Sequence, residues 1–133
     1  MNTKRKIRTS KNEAEERKNT PIYSGVLKYF PNALKAVAQC SFIGNEQHNP
    51  GTPLHWDRSK SGDELDALTR HLVEAGTIDT DGVKHSTKVA WRALAALEKE
   101  IEEDNTKTRK AKWKTVADFK GGVSVNKVLK RIK

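Results

Sequence analysis

Three stretches of the chain repeat apolar residues at helical spacing, and none alternates over the length of a strand. The first opens at Pro31, whose missing N–H and fixed φ suit the first helical position. Leu34, Val37, Ala38 and Ser41 then fall along one side, and Gly44 predicts the end. The second opens with Ser61-x-x-Glu64, the spacing of a capping box in which serine and glutamate satisfy each other's free amides. Leu65, Leu68 and Leu72 form its stripe, with Gly76 as the stop. The third is predicted to start near Asp79 and Asp81, whose carboxylates favour the positive end of a helix dipole. Val83, Thr87, Ala90, Trp91, Leu94, Leu97 and Ile101 carry it into Glu98, Glu100, Glu102, Glu103 and Asp104. Acids at a helix C-terminus oppose the dipole, so this end is expected to fray or to meet a basic partner. The pattern predicts an all-α fold: a small bundle of three core helices plus a C-terminal helical segment.

Composition narrows the picture. The chain has 133 residues, 35% of them hydrophobic and 32% charged, so it fits one domain with a modest core. A single cysteine, Cys40, excludes an intramolecular disulfide framework and a cysteine-rich zinc site. No run approaches the ~20 apolar residues that span a bilayer, and no apolar stretch follows the basic start as in a secretory signal. A cytoplasmic protein without a membrane partner is the expectation.

The net charge of +9 is unevenly spread. Residues 1–20 carry +4, residues 21–106 carry −4 and residues 107–133 carry +9. These divide the chain into a flexible basic segment, a helical domain and a basic C-terminal segment. Basic ends attract polyanions without reading them, so salt-sensitive association with nucleic acid is one expectation. In the C-terminal segment Trp113, Val116 and Ala117 recur at helical spacing, Gly121-Gly122 interrupts, and Val125, Val128, Leu129 and Ile132 follow. A short helix docking on the core or on a second subunit is the reading. With the small core and the acidic helix end, it predicts a homodimer or higher homo-oligomer.

Between the first two helices, residues 44–58 combine turn formers with His48, His55, Trp56 and Arg58. Helix pairs in bundles are joined by roughly 2–8 residues, so this connection is long enough to suspect function. Gly44, His55-Trp56, Arg70-His71-Leu72, Asp79-x-Asp81-Gly82-Val83-x-His85 and Ala90-Trp91-x-Ala93-Leu94 occur in order. In that order they resemble the N-terminal domain of phage dATP/dGTP diphosphohydrolases, over roughly residues 23–103. The resemblance implies a nucleotide-handling helical domain in an infected bacterial cell. It also implies a histidine where this chain has Lys88 and an asparagine where it has Arg92. His85, Lys88 and Arg92 share one helix face. That face has gained cations suited to phosphate and lost groups suited to a divalent metal.

Hydrolysis of a diphosphate linkage needs Mg²⁺ held by carboxylates and an activated water. Asp63, Asp66 and Glu74 lie near one side of the second helix and are the metal candidates, yet Arg70 sits among them. Asp79 and Asp81 read more simply as turn and cap residues. His71 with Glu74 could form a ligand pair, yet His71 borders the apolar stripe and reads more simply as a packed, hydrogen-bonded histidine.

Binding a phosphorylated nucleotide needs less: cations and N–H donors for phosphate, an aromatic face and a few polar groups for the base. His48, His55, Trp56, Arg58, Arg70, His85, Lys88 and Arg92 supply that inventory. Trp56 is either a lid packed on the core or a stacking platform, and Trp91 is a core residue. The sequence therefore favours capture of a purine-type nucleotide without a cofactor, such as sequestration of a host defence signal. A Mg²⁺-dependent diphosphohydrolase is the alternative.

Overall fold

The computed structural model of the chain describes residues 12–119, with side chains described as far as Thr115. Four helices carry it: α1 (12–18), α2 (Pro31–His48), α3 (Glu64–Val73) and α4 (His85–Phe119). A π-helical turn occupies Tyr23–Leu27 and a 3-10 turn Arg58–Lys60. No strand occurs among the described residues, although Ile78 and Lys84 form an isolated antiparallel bridge. The sequence pattern at 121–132 lies outside the described residues, as does most of the basic start.

Pro31 sits in the first turn of α2, as its ring favours. Gly44 does not end that helix. A helical glycine costs only about 1 kcal/mol, and the next turn recovers it through contacts. Asn45 is buried there, and its Nδ2 donates to the Thr52 carbonyl at 3.1 Å, tying the connecting loop back to the helix. The helix stops at His48, ahead of Asn49-Pro50-Gly51, where Gly51 takes φ +74°.

The capping box expected before α3 does not form. The Ser61 hydroxyl donates to the Glu64 carboxylate, and no side chain caps the helix. Lys99 of α4 is the reason: its ammonium donates to the Ser61 carbonyl and to the Glu64 carboxylate, the latter at 2.7 Å. A buried carboxylate with a cation in reach satisfies that cation before an amide. Gly76, at φ +92°, closes the turn after α3.

Asp79 and Asp81 form a turn and do not begin a helix. The Asp79 N–H donates to the Val83 carbonyl at 2.9 Å and the Gly82 N–H to the Asp79 carbonyl at 2.9 Å. The Asp81 carboxylate accepts from the Val83 N–H at 3.0 Å, and Gly82 takes φ +79°. Helix α4 then starts at His85 and runs for 35 residues, about 52 Å. The acidic stretch 98–104 therefore lies within a continuous helix, and its expected conflict with the dipole at a C-terminus does not arise. Residues 107–119 continue the same helix, and Lys107 pairs with Glu103 at 2.9 Å.

Helix α4 lies against α2 and α3 through His85, Lys88, Arg92, Ala95 and Lys99, which share one side. Helix α3 runs antiparallel to it, which brings Glu64 to Lys99 and His71 to His85. Ala67, Val83 and Ala95 are the buried hydrophobic residues among those described; small side chains let the helices approach. The predicted apolar stripe faces elsewhere: Leu94, Leu97 and Ile101 are about half exposed, as is Leu72, while Leu65 is more so. Trp91 joins α4 to α2 by donating from Nε1 to Ser41 Oγ at 2.7 Å. No helix among the described residues is long and apolar enough to cross a membrane.

Candidate functional site

A cleft of about 430 Å³ opens between the second half of α2, the connecting loop and the first two turns of α4. Its volume lies in the range of small-molecule sites. Helix α2 contributes Cys40, Ser41, Asn45 and His48 to its wall. The loop contributes His55, Trp56, Asp57 and Lys60, and α4 contributes Lys88, Trp91 and Arg92. His71 and Asp81 close one end. Burial is the main influence on the Cys40 thiol and pushes its pKa up, so it stays protonated.

Behind the cleft surface, two side-chain atoms of lining residues are buried without a hydrogen-bond partner among the described residues: Asn45 Oδ1, an acceptor, and Trp56 Nε1, a donor. Asn45 is only 6% exposed. An unpaired buried polar atom costs about 1–3 kcal/mol, so these two weaken the local packing of the loop against α2. Trp56 itself packs edge-to-face on Trp91, with ring centroids 5.6 Å apart. The Arg58 guanidinium lies 4.2 Å from the Trp56 ring centroid. Trp56 is thus a packed wall whose ring carries a cation.

The sequence candidates separate into two groups. His48, His55, Trp56, Lys88 and Arg92 line the cleft. Arg58, Arg70 and His85 do not, and each is engaged elsewhere. Arg58 pairs with Glu102 at 2.8 Å, and Arg70 pairs with Asp63 at 3.0 Å. His85 is buried, with its Nδ1 2.9 Å from His71 Nδ1. Among the described residues no ion pair engages Arg92, whose guanidinium lies 5.4 Å from the Trp91 ring centroid.

Lys88 is more constrained than its sequence position suggested. Its ammonium donates to Asp79 and to Asp81, each at 2.6 Å, and all three side chains are largely buried. Burial opposes the Lys88 charge, but the two carboxylates outweigh it and raise its pKa. Hydrogen bonds from Lys88 and from the Thr80 amide hold Asp79 well below the usual carboxylate range. Burial first, and the Lys88 charge second, hold His71 below its ordinary value, so its imidazole is neutral near pH 7.

The proposed carboxylate set for Mg²⁺ does not converge. Asp63 and Glu74 flank α3 at opposite ends, about 16 Å apart along its axis, and Asp63 is taken by Arg70. The ligating groups that do gather are His71, Asp79 and His85, whose candidate atoms lie within 4.8 Å of one another. Two imidazoles and one carboxylate are a poor set for magnesium, which prefers oxygen ligands. Asn45 and Lys60 were not anticipated from sequence. Asn45 was legible: Val37, Ser41, Asn45 and His48 continue one face of α2, once Gly44 is not taken as the stop.

Compared with known families, residues 10–109 match the profile of the dATP/dGTP diphosphohydrolase N-terminal domain. No curated protein and no solved structure matches the chain.

Proposed function

From the chain's membership of the dATP/dGTP diphosphohydrolase N-terminal domain family we infer that its cleft receives a phosphorylated purine-type nucleotide. We propose that it captures this guest without cleaving it. The observation that carries the reading is Arg92, a cleft-lining cation that no carboxylate engages among the described residues, beside the Trp56 and Trp91 rings. Arg92 is the cation left to fork onto a phosphate, with Lys60, His48 and His55 lining the same cleft. Lys88 holds its charge against Asp79 and Asp81 and contributes position rather than a free cation.

The donor set supports the reading of capture rather than turnover. Cleavage between phosphates asks for a metal-activated water, and the acidic residues of α3 do not come together for magnesium. Sequestration of a host nucleotide signal is the biological role this reading supports. The family's name favours the second reading, a Mg²⁺-dependent diphosphohydrolase, and one experiment separates the two. The protein is incubated with dATP and dGTP, with and without Mg²⁺, and the nucleotides are then chromatographed. Capture returns them intact and raises the melting temperature, with about 2.7 kcal/mol of stabilisation at 100 times the dissociation constant. Release of monophosphate and pyrophosphate would establish the second reading instead.

The half-exposed Leu94, Leu97 and Ile101 support self-association as a further part of the proposal. Sedimentation at micromolar concentration is expected to give a dimer or larger species. A monomer would remove that part and leave the cleft reading intact.

A further inference from the structure

At the end of the α3–α4 contact, four groups crowd one another in a way that neither packing nor the cleft explains. His71 Nδ1 and His85 Nδ1 face each other at 2.9 Å, and a carboxylate oxygen of Asp79 completes a group within 4.8 Å. A Glu74 oxygen lies 3.6 Å from His85 Nδ1. Two ring nitrogens pointed at the same place need a proton, or another cation, between them. Nitrogen and oxygen ligands of a tetrahedral ion, bound at about 2.0–2.2 Å, stand about 3.3–3.5 Å apart. These groups are within a small adjustment of that arrangement. His85 is buried and His71 half-buried, so the imidazoles are held in place.

What keeps Asp79 from such an ion is visible. Asp79 Oδ2 accepts from the Lys88 ammonium at 2.6 Å, while Oδ1 accepts from the Thr80 N–H at 2.7 Å. We propose that His71, His85 and Asp79 form a divalent transition-metal site in which the Lys88 ammonium competes with the ion for Asp79. Two imidazoles and a carboxylate are the ligand chemistry of zinc and cobalt rather than of magnesium or calcium. An incoming ion displaces the proton shared by the two imidazoles and takes Asp79 Oδ2, and Lys88 keeps Asp81. The site goes beyond the capture reading and does not depend on it, and its test uses no nucleotide.

The test is a metal titration of the full chain, wild type beside Lys88→Met, with Co²⁺ followed by visible absorption and Zn²⁺ by competition with a chromophoric chelator. Lys88→Met is expected to bind both ions at least tenfold more tightly than wild type, with the intense d–d bands of low-coordinate cobalt. Adding His71→Ala or His85→Ala to Lys88→Met is expected to abolish the gain. Lys88→Gln, which keeps one hydrogen bond to the aspartates, serves as the second variant should methionine unsettle the fold. Equal affinity in wild type and the folded Lys88 variant would overturn the proposal, as would a gain that survives loss of either histidine. Loss of nucleotide binding alone would count against the capture reading and leave this site untouched.

Discussion

Helices α3 and α4 are joined by two polar clusters, one at each end of their contact, and the two are built differently. At the start of α3 a single ammonium, that of Lys99, meets a single buried carboxylate, that of Glu64, with Ser61 bonded to both. At the other end the Lys88 ammonium is shared by two carboxylates, and two imidazoles stand beside it. The first is a closed clasp in which each named group has its partner. The second holds more ligands than its cation can satisfy, and its His71, Asp81 and Lys88 also border the cleft. A one-to-one buried pair stabilises the fold; a surplus of acceptors around one cation leaves room for exchange.

Breaking each cluster sharpens that comparison. Lys99→Met leaves Glu64 buried without its counter-charge and is expected to cost about 3 kcal/mol, read as a lower urea midpoint. Lys88→Met is expected to cost about 1–2 kcal/mol, because Asp79 retains the Thr80 amide and Asp81 the Val83 amide. Equal losses would mean that the two clusters do the same job.

Acid should distinguish them as well. Burial works to raise the Glu64 pKa, but Lys99 and Ser61 outweigh it and bring it from 4.5 to about 2. A lowered carboxylate contributes stability that is complete above about pH 4.5 and is lost as the pH falls through about 2. His71 gives a smaller effect at higher pH. Its folded pKa lies below 6.5, so the unfolded chain binds the proton first and stability declines as the pH drops below 6.5. Unfolding measured from pH 8 to 2 should show a shallow step that shrinks in Lys88→Met, then a steeper one that moves to higher pH in Lys99→Met. A single step unaffected by either variant would contradict both assignments.

Helices α2, α3 and α4 were legible because apolar periodicity and Pro31 act locally, whereas α1 falls in a stretch without that periodicity, read as a flexible segment. Their packing was not. Leu94, Leu97 and Ile101 mark a face of α4 but carry no information about what covers it, and within the chain α4 turns its His85–Lys99 side inward. A stripe reports amphipathicity, and long-range ion pairs decided which side was used. The same long-range partner undid the capping box, since nothing near Ser61 and Glu64 in sequence announces Lys99. In the site, the cleft gathers His48, His55, Trp56, Lys88 and Arg92 from the suspected loop and from α4 but not Arg58, Arg70 or His85, whose partners lie elsewhere in the chain. The pairing of Lys88 depended on Asp79 and Asp81 turning back towards it, which spacing alone does not show. Asn45 was hidden by reading Gly44 as a stop, although a lone glycine inside a helix is affordable.

The most direct test of metal-free capture is calorimetric titration of dATP or dGTP into the wild type and Arg92→Ala in the presence of EDTA, with the nucleotide chromatographed afterwards. Cation-mediated capture predicts binding that persists in EDTA, intact nucleotide, and about 1–3 kcal/mol lost in Arg92→Ala through the missing charged hydrogen bonds. Binding that vanishes with EDTA, or that Arg92→Ala leaves unchanged, would contradict it.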